Sequence, residues 1–118
     1  MFLDASAIIA IVAGESDAAS FAARLGQAAT IVTSPIVVYE AVLGLARVGN
    51  LSIADATSLL DRFLVEVDAT VVPIDAAFGR AALSAFERFG KGRHPAALNL
   101  GDCFAFACAA AWGYADFV

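Results

Sequence analysis

The sequence predicts an α/β chain with a central parallel sheet and helices on its faces. Short apolar or β-branched segments, MFLD, ATIVTS and ATVVPI, recur along the chain. Longer segments of helical length and composition stand between them, and the junctions carry helix-start residues such as Ser34-Pro35 and Asp75. Strand-sized apolar runs that alternate with helices bury both sheet faces, which is the pattern of parallel strands with helical crossovers.

In order, MFLD reads as a buried strand ended by Asp4, and ASAIIAIVAG continues as an apolar helix closed by Gly14. Ser16 and Asp17 are positioned to cap a second helix running to about Gln27, and ATIVTS follows as a β-branched strand. Ser34 supplies a capping hydroxyl and Pro35 a residue pre-set for the first helical turn, so PIVVYEAVLGLARVG is a helix. Ser52 or Asp55 opens another helix to about Val67, ATVVPI is a third strand, and Asp75 caps a helix to about Phe89. GKGRHP is a loop. Asn99 or Asp102 opens the last helix, which Gly113 stops.

A chain of 118 residues with 61% hydrophobic residues suits one domain, 1–118, with ample core material. No repeat or linker divides it. Mean hydropathy is high, +0.81, yet the longest stretch without charge, residues 25–39, falls short of the roughly 18–20 apolar residues of a spanning helix and contains Ser34-Pro35. A soluble protein with no membrane partner is expected. Asp4 stands where a secretory leader would carry basic residues, which points to the cytoplasm. Cys103 and Cys108 are flanked by core-type residues and read as buried free thiols. The net charge of −5 argues against broad electrostatic adhesion to nucleic acid. Its distribution qualifies that: of seven basic residues, Arg80, Arg88, Lys91 and Arg93 fall within fourteen positions. They form either a local basic lip or an ordinary solvated loop.

Three acids stand at or near the openings of apolar segments. Asp4 lies at a strand end, where the functional crevice of a parallel sheet forms, and is equally placed to cap the following helix. Glu40 sits in IVVYEAVLGLA, apolar nearly all round, with no basic residue three or four positions away. It either faces solvent or needs a partner, because an unpaired buried carboxylate is costly. Asp102 stands in the first turn of CFAFACAAAW, where a negative charge also suits the helix dipole. Taken together, the three can converge on one crevice, and converging carboxylates raise one another's pKa unless a cation compensates. Oxygen donors with little His or Cys nearby favour Mg²⁺, or Mn²⁺, over zinc.

The blocks MFLDASAIIAIVAGE, TSPIVVYEAVLGLAR and GKGRHPAALNLGDCFAFACA, in this order and spacing, resemble the PIN-domain ribonucleases, specifically the VapC-like toxins of bacterial type II toxin-antitoxin modules. The resemblance implies a PIN-like α/β/α sandwich and Mg²⁺-dependent hydrolysis of RNA to products with a 5′-phosphate and a 3′-hydroxyl. It also implies a VapB-like antitoxin partner. It makes Asp4, Glu40 and Asp102 the catalytic metal cluster and Ser6 the hydroxyl that accompanies the first acid. Such proteins usually continue past the last helix with another strand and a further acid. This chain ends GYADFV, so the last strand is expected to be absent or shortened, with Asp116 the candidate for that acid.

Two readings follow. One is a ribonuclease in which Arg88, Lys91 and Arg93 hold flanking phosphates, without reading base sequence. The other is a shortened, weakly active or inactive PIN-like module that binds an antitoxin without cleaving RNA. The apolar composition and abrupt end also suggest a homodimer. His94, beside Pro95 in the loop, is a general-acid candidate or a structural or solvent-exposed residue. Phosphoaspartate chemistry at Asp4 fits less well, because Ser6 stands where a second Asp is wanted and the single lysine, Lys91, lies in the loop.

Overall fold

Backbone hydrogen bonds join three segments side by side. The computed structural model describes residues 1–90, 92 and 98–111. Strand β1 (Ile31–Thr33) pairs in parallel with β2 (Ala69–Val71), with Ile31 opposite Ala69 and Thr33 opposite Val71. The opening segment joins β1 as a parallel bridge, Phe2 to Val32, rather than as a longer strand. Leu3 donates its N–H to the Val32 carbonyl at 2.8 Å, and Val32 donates to that of Met1 at 2.9 Å. Asp4 ends the pairing because it already stands at the N-cap of the next helix.

The helices are α1 (Ala5–Ala13), α2 (Ala18–Gly26), α3 (Pro35–Gly49), α4 (Ile53–Glu66), α5 (Ala76–Phe89) and α6 (Leu100–Ala111). Local chemistry fixes most of their ends. The Ser34, Ser52 and Asp75 side chains accept from the N–H groups of Val37, Asp55 and Phe78, each three residues on. Gly14 takes the left-handed conformation that closes α1, with φ 72°. The expected cap of α2 does not form. Asp17 has helical backbone angles and its side chain caps nothing, because the turn from Glu15 already carries the chain into the helix.

One buried apolar cluster draws on all six helices, with Phe2, Leu3, Ile8, Val32, Leu60 and Val72 nearly inaccessible. Helix α1 packs against α2 and α3, α3 against α4 and α6, and α5 against α6, where the Phe78 and Phe104 rings stack 6.2 Å apart. Cys103 and Cys108 are free and buried, as expected. Burial pushes the Cys108 thiol up to about 11 and, with Asp102 beside it, raises Cys103 as well. Neither is therefore a thiolate at neutral pH. Among the described residues no single helix is long and apolar enough to cross a membrane. The expected shortened last strand, Asp116 and Gly113 lie outside the described residues.

The strand ends are tied together where the acids begin. Thr33 is fully buried, and its hydroxyl donates to the Leu3 carbonyl at 2.9 Å, bracing the residue that precedes Asp4. Thr33→Val keeps the shape and removes the donor, so it should destabilise the chain by about 1–2 kcal/mol, the cost of stranding a buried acceptor. Chemical denaturation measures this, and an unchanged midpoint would show that the bond contributes nothing.

Candidate metal and nuclease site

Three segments remote in sequence deliver the three acids. Asp4 ends the first strand segment and is half-buried at the start of α1. Its carboxylate makes no helix-cap hydrogen bond; it accepts instead from the Ser6 hydroxyl at 3.1 Å. The capping explanation of Asp4 therefore falls away, and its carboxylate is aimed at the crevice.

Asp102 is in the first turn of α6. Its Oδ2 accepts from the Asn99 N–H at 3.2 Å, while its own N–H donates to Asn99 Oδ1 at 3.1 Å. This reciprocal capping box answers which of the two residues opens the helix: Asn99 stands at the cap and Asp102 three residues on, each satisfying the other's backbone donor. One carboxylate oxygen is thereby anchored, which orients the other.

Glu40, on α3, comes up against the start of α6 beside Asp102. Gly101 is the reason it fits, since a Cβ at Gly101 would lie 2.9 Å from the Glu40 carboxyl carbon and 3.0 Å from Oε2, and nearer still to Oε1. The glutamate head thus rests on bare backbone next to Asp102, although Glu40 as a whole residue is exposed. Burial raises its pKa above the usual carboxylate range, and the charges of Asp4 and then Asp102 raise it further. The mutual repulsion expected of neighbouring acids is present, but burial outranks it.

Two cavities flank the Asp4–Ser6 pair. One of 240 Å³ is lined by Asp4, Leu98, Asp102, Ala105 and Phe106; the other, of 480 Å³, runs past Ser6 and Glu40 along the seam of α1 and α3. Of the expected RNA contacts, Arg88 is exposed in the last turn of α5, its guanidinium 4.8 Å from the Phe89 ring centroid. Phe89 packs on Phe106 with centroids 5.6 Å apart, so Arg88 is linked through two rings to the wall of the smaller cavity. Leu98, which donates its N–H to the Phe89 carbonyl, lines that cavity too. Lys91, Arg93 and His94 lie outside the described residues.

Among the described residues no three His, Cys, Asp or Glu side chains gather about a single ligating point. The donor set nonetheless suits a hard cation. It is all oxygen, and the charges that perturb Glu40 are both negative. Mg²⁺ keeps several waters and commonly takes only one or two carboxylates directly, so direct contact with all three acids is not required. Sequence reasoning missed Gly101, although a glycine immediately before the acid in NLGDCF was its visible signal.

The raised pKa of Glu40 has a direction that can be measured. Without a cation, the folded chain holds this proton more tightly than the unfolded chain does. The resulting stability is present below the ordinary glutamate range and is lost as pH rises through the raised value. In EDTA, the melting temperature of Glu40→Gln relative to the parent should therefore climb as pH rises through that window. Parallel pH profiles for the two proteins would show that Glu40 is not the group responsible.

Comparison with known proteins agrees with this architecture. The PIN domain family model matches residues 1–114, and the chain belongs to that family. Within it, the chain is 40% identical over 120 residues to VapC ribonuclease R02377 of Rhizobium meliloti (strain 1021), covering 92% of this chain and 84% of that protein. It is 36% identical over 111 residues to ribonuclease VapC36 of Mycobacterium tuberculosis (strain ATCC 25618 / H37Rv), covering 92% and 77%. These similarities place it among the VapC ribonucleases. The crystal structure of Mycobacterium tuberculosis VapC20, a Sarcin-Ricin loop cleaving toxin, superposes with a TM-score of 0.78 at 18% identity, covering 98% of this chain and 85% of that one. At that identity the likeness concerns the fold.

Proposed function

We propose that this chain is the endoribonuclease toxin of a type II toxin-antitoxin module, hydrolysing RNA phosphodiester bonds with Mg²⁺, or Mn²⁺, held by Asp4, Glu40 and Asp102. The observation that carries this reading is the seat of Glu40 on Gly101, which sets a carboxylate with a raised pKa beside Asp102 and within electrostatic reach of Asp4. A cation bound there would neutralise the phosphate oxygens and lower the pKa of the attacking water. The chain's own residues do the rest. Ser6 holds Asp4 in orientation, the Asn99 box holds Asp102, and Glu40 is placed as a ligand or to take a proton from the water. Water attack leaves a 5′-phosphate and a 3′-hydroxyl, and Arg88, Lys91 and Arg93 hold the neighbouring phosphates.

A VapB-like antitoxin is the proposed partner. A second copy of the chain is the proposed cover for the apolar cavity of 560 Å³ between α5 and α6, where Leu83 and Leu100 are 71% and 70% exposed. Sedimentation at micromolar concentration should show a dimer, and a monomer would remove that part. The activity itself is tested by incubating single-stranded RNA with Mg²⁺ and with EDTA. Cleavage in Mg²⁺ alone is expected, while cleavage that persists in EDTA would overturn the mechanism.

A further inference from the structure

Helix α3 carries a second charged group two turns beyond Glu40. Arg47 lies seven residues on, about 10 Å along the axis, and it lines the same 480 Å³ cavity as Ser6, Ile9, Glu40, Leu43 and Gly44. Gly44 forms the floor: a Cβ there would run into Ile9 Cδ1, so α1 and α3 close beneath the cavity and leave it open outward. Arg47 is exposed, and among the described residues its guanidinium makes no hydrogen bond or ion pair. A cation in the last turn also suits the helix dipole, but that role does not require a place in the crevice. A permanently charged fork of five donors, unpaired beside an acidic centre, matches phosphate in shape and sign.

We propose that Arg47 binds an RNA backbone phosphate next to the scissile one, so that the groove between α1 and α3 carries the strand on the side of the acids opposite Arg88. This rests on the ribonuclease reading and adds a path to it. The strand passes from the Phe89–Phe106 wall, across Asp4 and Ser6, to Arg47. The contact is with backbone and carries no base preference.

The test compares Arg47→Ala, Arg47→Lys and, as a control, Arg62→Ala, an exposed arginine of α4 outside both crevice cavities. Affinity for a short single-stranded RNA is measured in EDTA over a range of salt concentrations, and kcat and KM are measured in Mg²⁺. Arg47→Ala should raise Kd and KM about tenfold and make the logarithmic salt slope shallower by about 0.7, the counterion release of one single-strand phosphate contact. Its kcat should stay within about twofold of the parent, as expected when uniform binding is lost. Arg47→Lys should keep the slope and recover part of the affinity, and Arg62→Ala should match the parent. Unchanged Kd, KM and slope in Arg47→Ala would overturn the inference, as would a fall in kcat alone. Absence of Mg²⁺-dependent cleavage by the parent would instead sink the ribonuclease reading, while the EDTA binding series would still decide whether Arg47 holds phosphate.

Discussion

Asp4→Asn and Asp102→Asn should each lower kcat/KM for RNA by about a hundredfold or more, the scale of losing one group that stabilises transition-state charge, while leaving the fold intact. The amide keeps the shape of the carboxylate and removes the charge that holds a hard cation. Structural cost is small at both positions. Asp4 caps no helix, and an Asn there still accepts from Ser6. An Asn at 102 still accepts from the Asn99 N–H, so the capping box closes as before, and only the helix-dipole benefit of a charge in the first turn, about 0.3–1 kcal/mol, is lost. Asp4→Asn also removes one of the two repulsions on Glu40, so its melting temperature in EDTA should equal or exceed that of the parent. Activity and melting temperature measured together make the case. Two fully active variants would show that the metal is held elsewhere or is not needed, whereas unfolded variants would mean that these acids serve the structure.

What could be read from the sequence divides along the range of the interactions. The Ser34, Ser52 and Asp75 caps are bonds closed within four residues, so the residue types alone announced them. The same logic misled at Asp17, where the preceding turn set the backbone angles and the side chain had nothing to cap. The first strand was visible as apolar residues before Asp4, but its reduction to a bridge depends on where that helix begins. The three acids were conspicuous because each stands at or near the opening of an apolar segment or inside one. The seat of Glu40 beside Asp102 was not, because the contact of Glu40 with Gly101 joins α3 to α6, and nothing near Glu40 in the chain hints at it. Arg47 was hidden for the same reason. In the sequence it is a basic residue near a helix end, the commonest place for one, and only the packing of α3 on α1 makes it the wall of a crevice.

Gly101→Ala should separate stability from activity in the opposite sense to most substitutions. Gly101 has no positive φ, so alanine fits its backbone, and replacing a helical glycine gains up to about 1 kcal/mol. The new methyl group would occupy the seat of the Glu40 carboxylate. Glutamate is flexible and swings away, so the fold survives while the acidic constellation opens. Cleavage should fall by about ten- to a hundredfold, the usual cost of misplacing a metal-site group through its supporting residues, and the melting temperature in EDTA should hold or rise. The pKa of Glu40, followed by NMR titration, should move back toward the ordinary glutamate range, because the burial that chiefly raises it is relieved. Gly79→Ala is the matched control: it lies in α5 with nothing within 4 Å of the added Cβ, and it should gain stability with no loss of cleavage. Full activity of Gly101→Ala with an unmoved Glu40 titration would show that the bare backbone at 101 does not position the glutamate, and the place of Glu40 beside Asp102 would then need another cause.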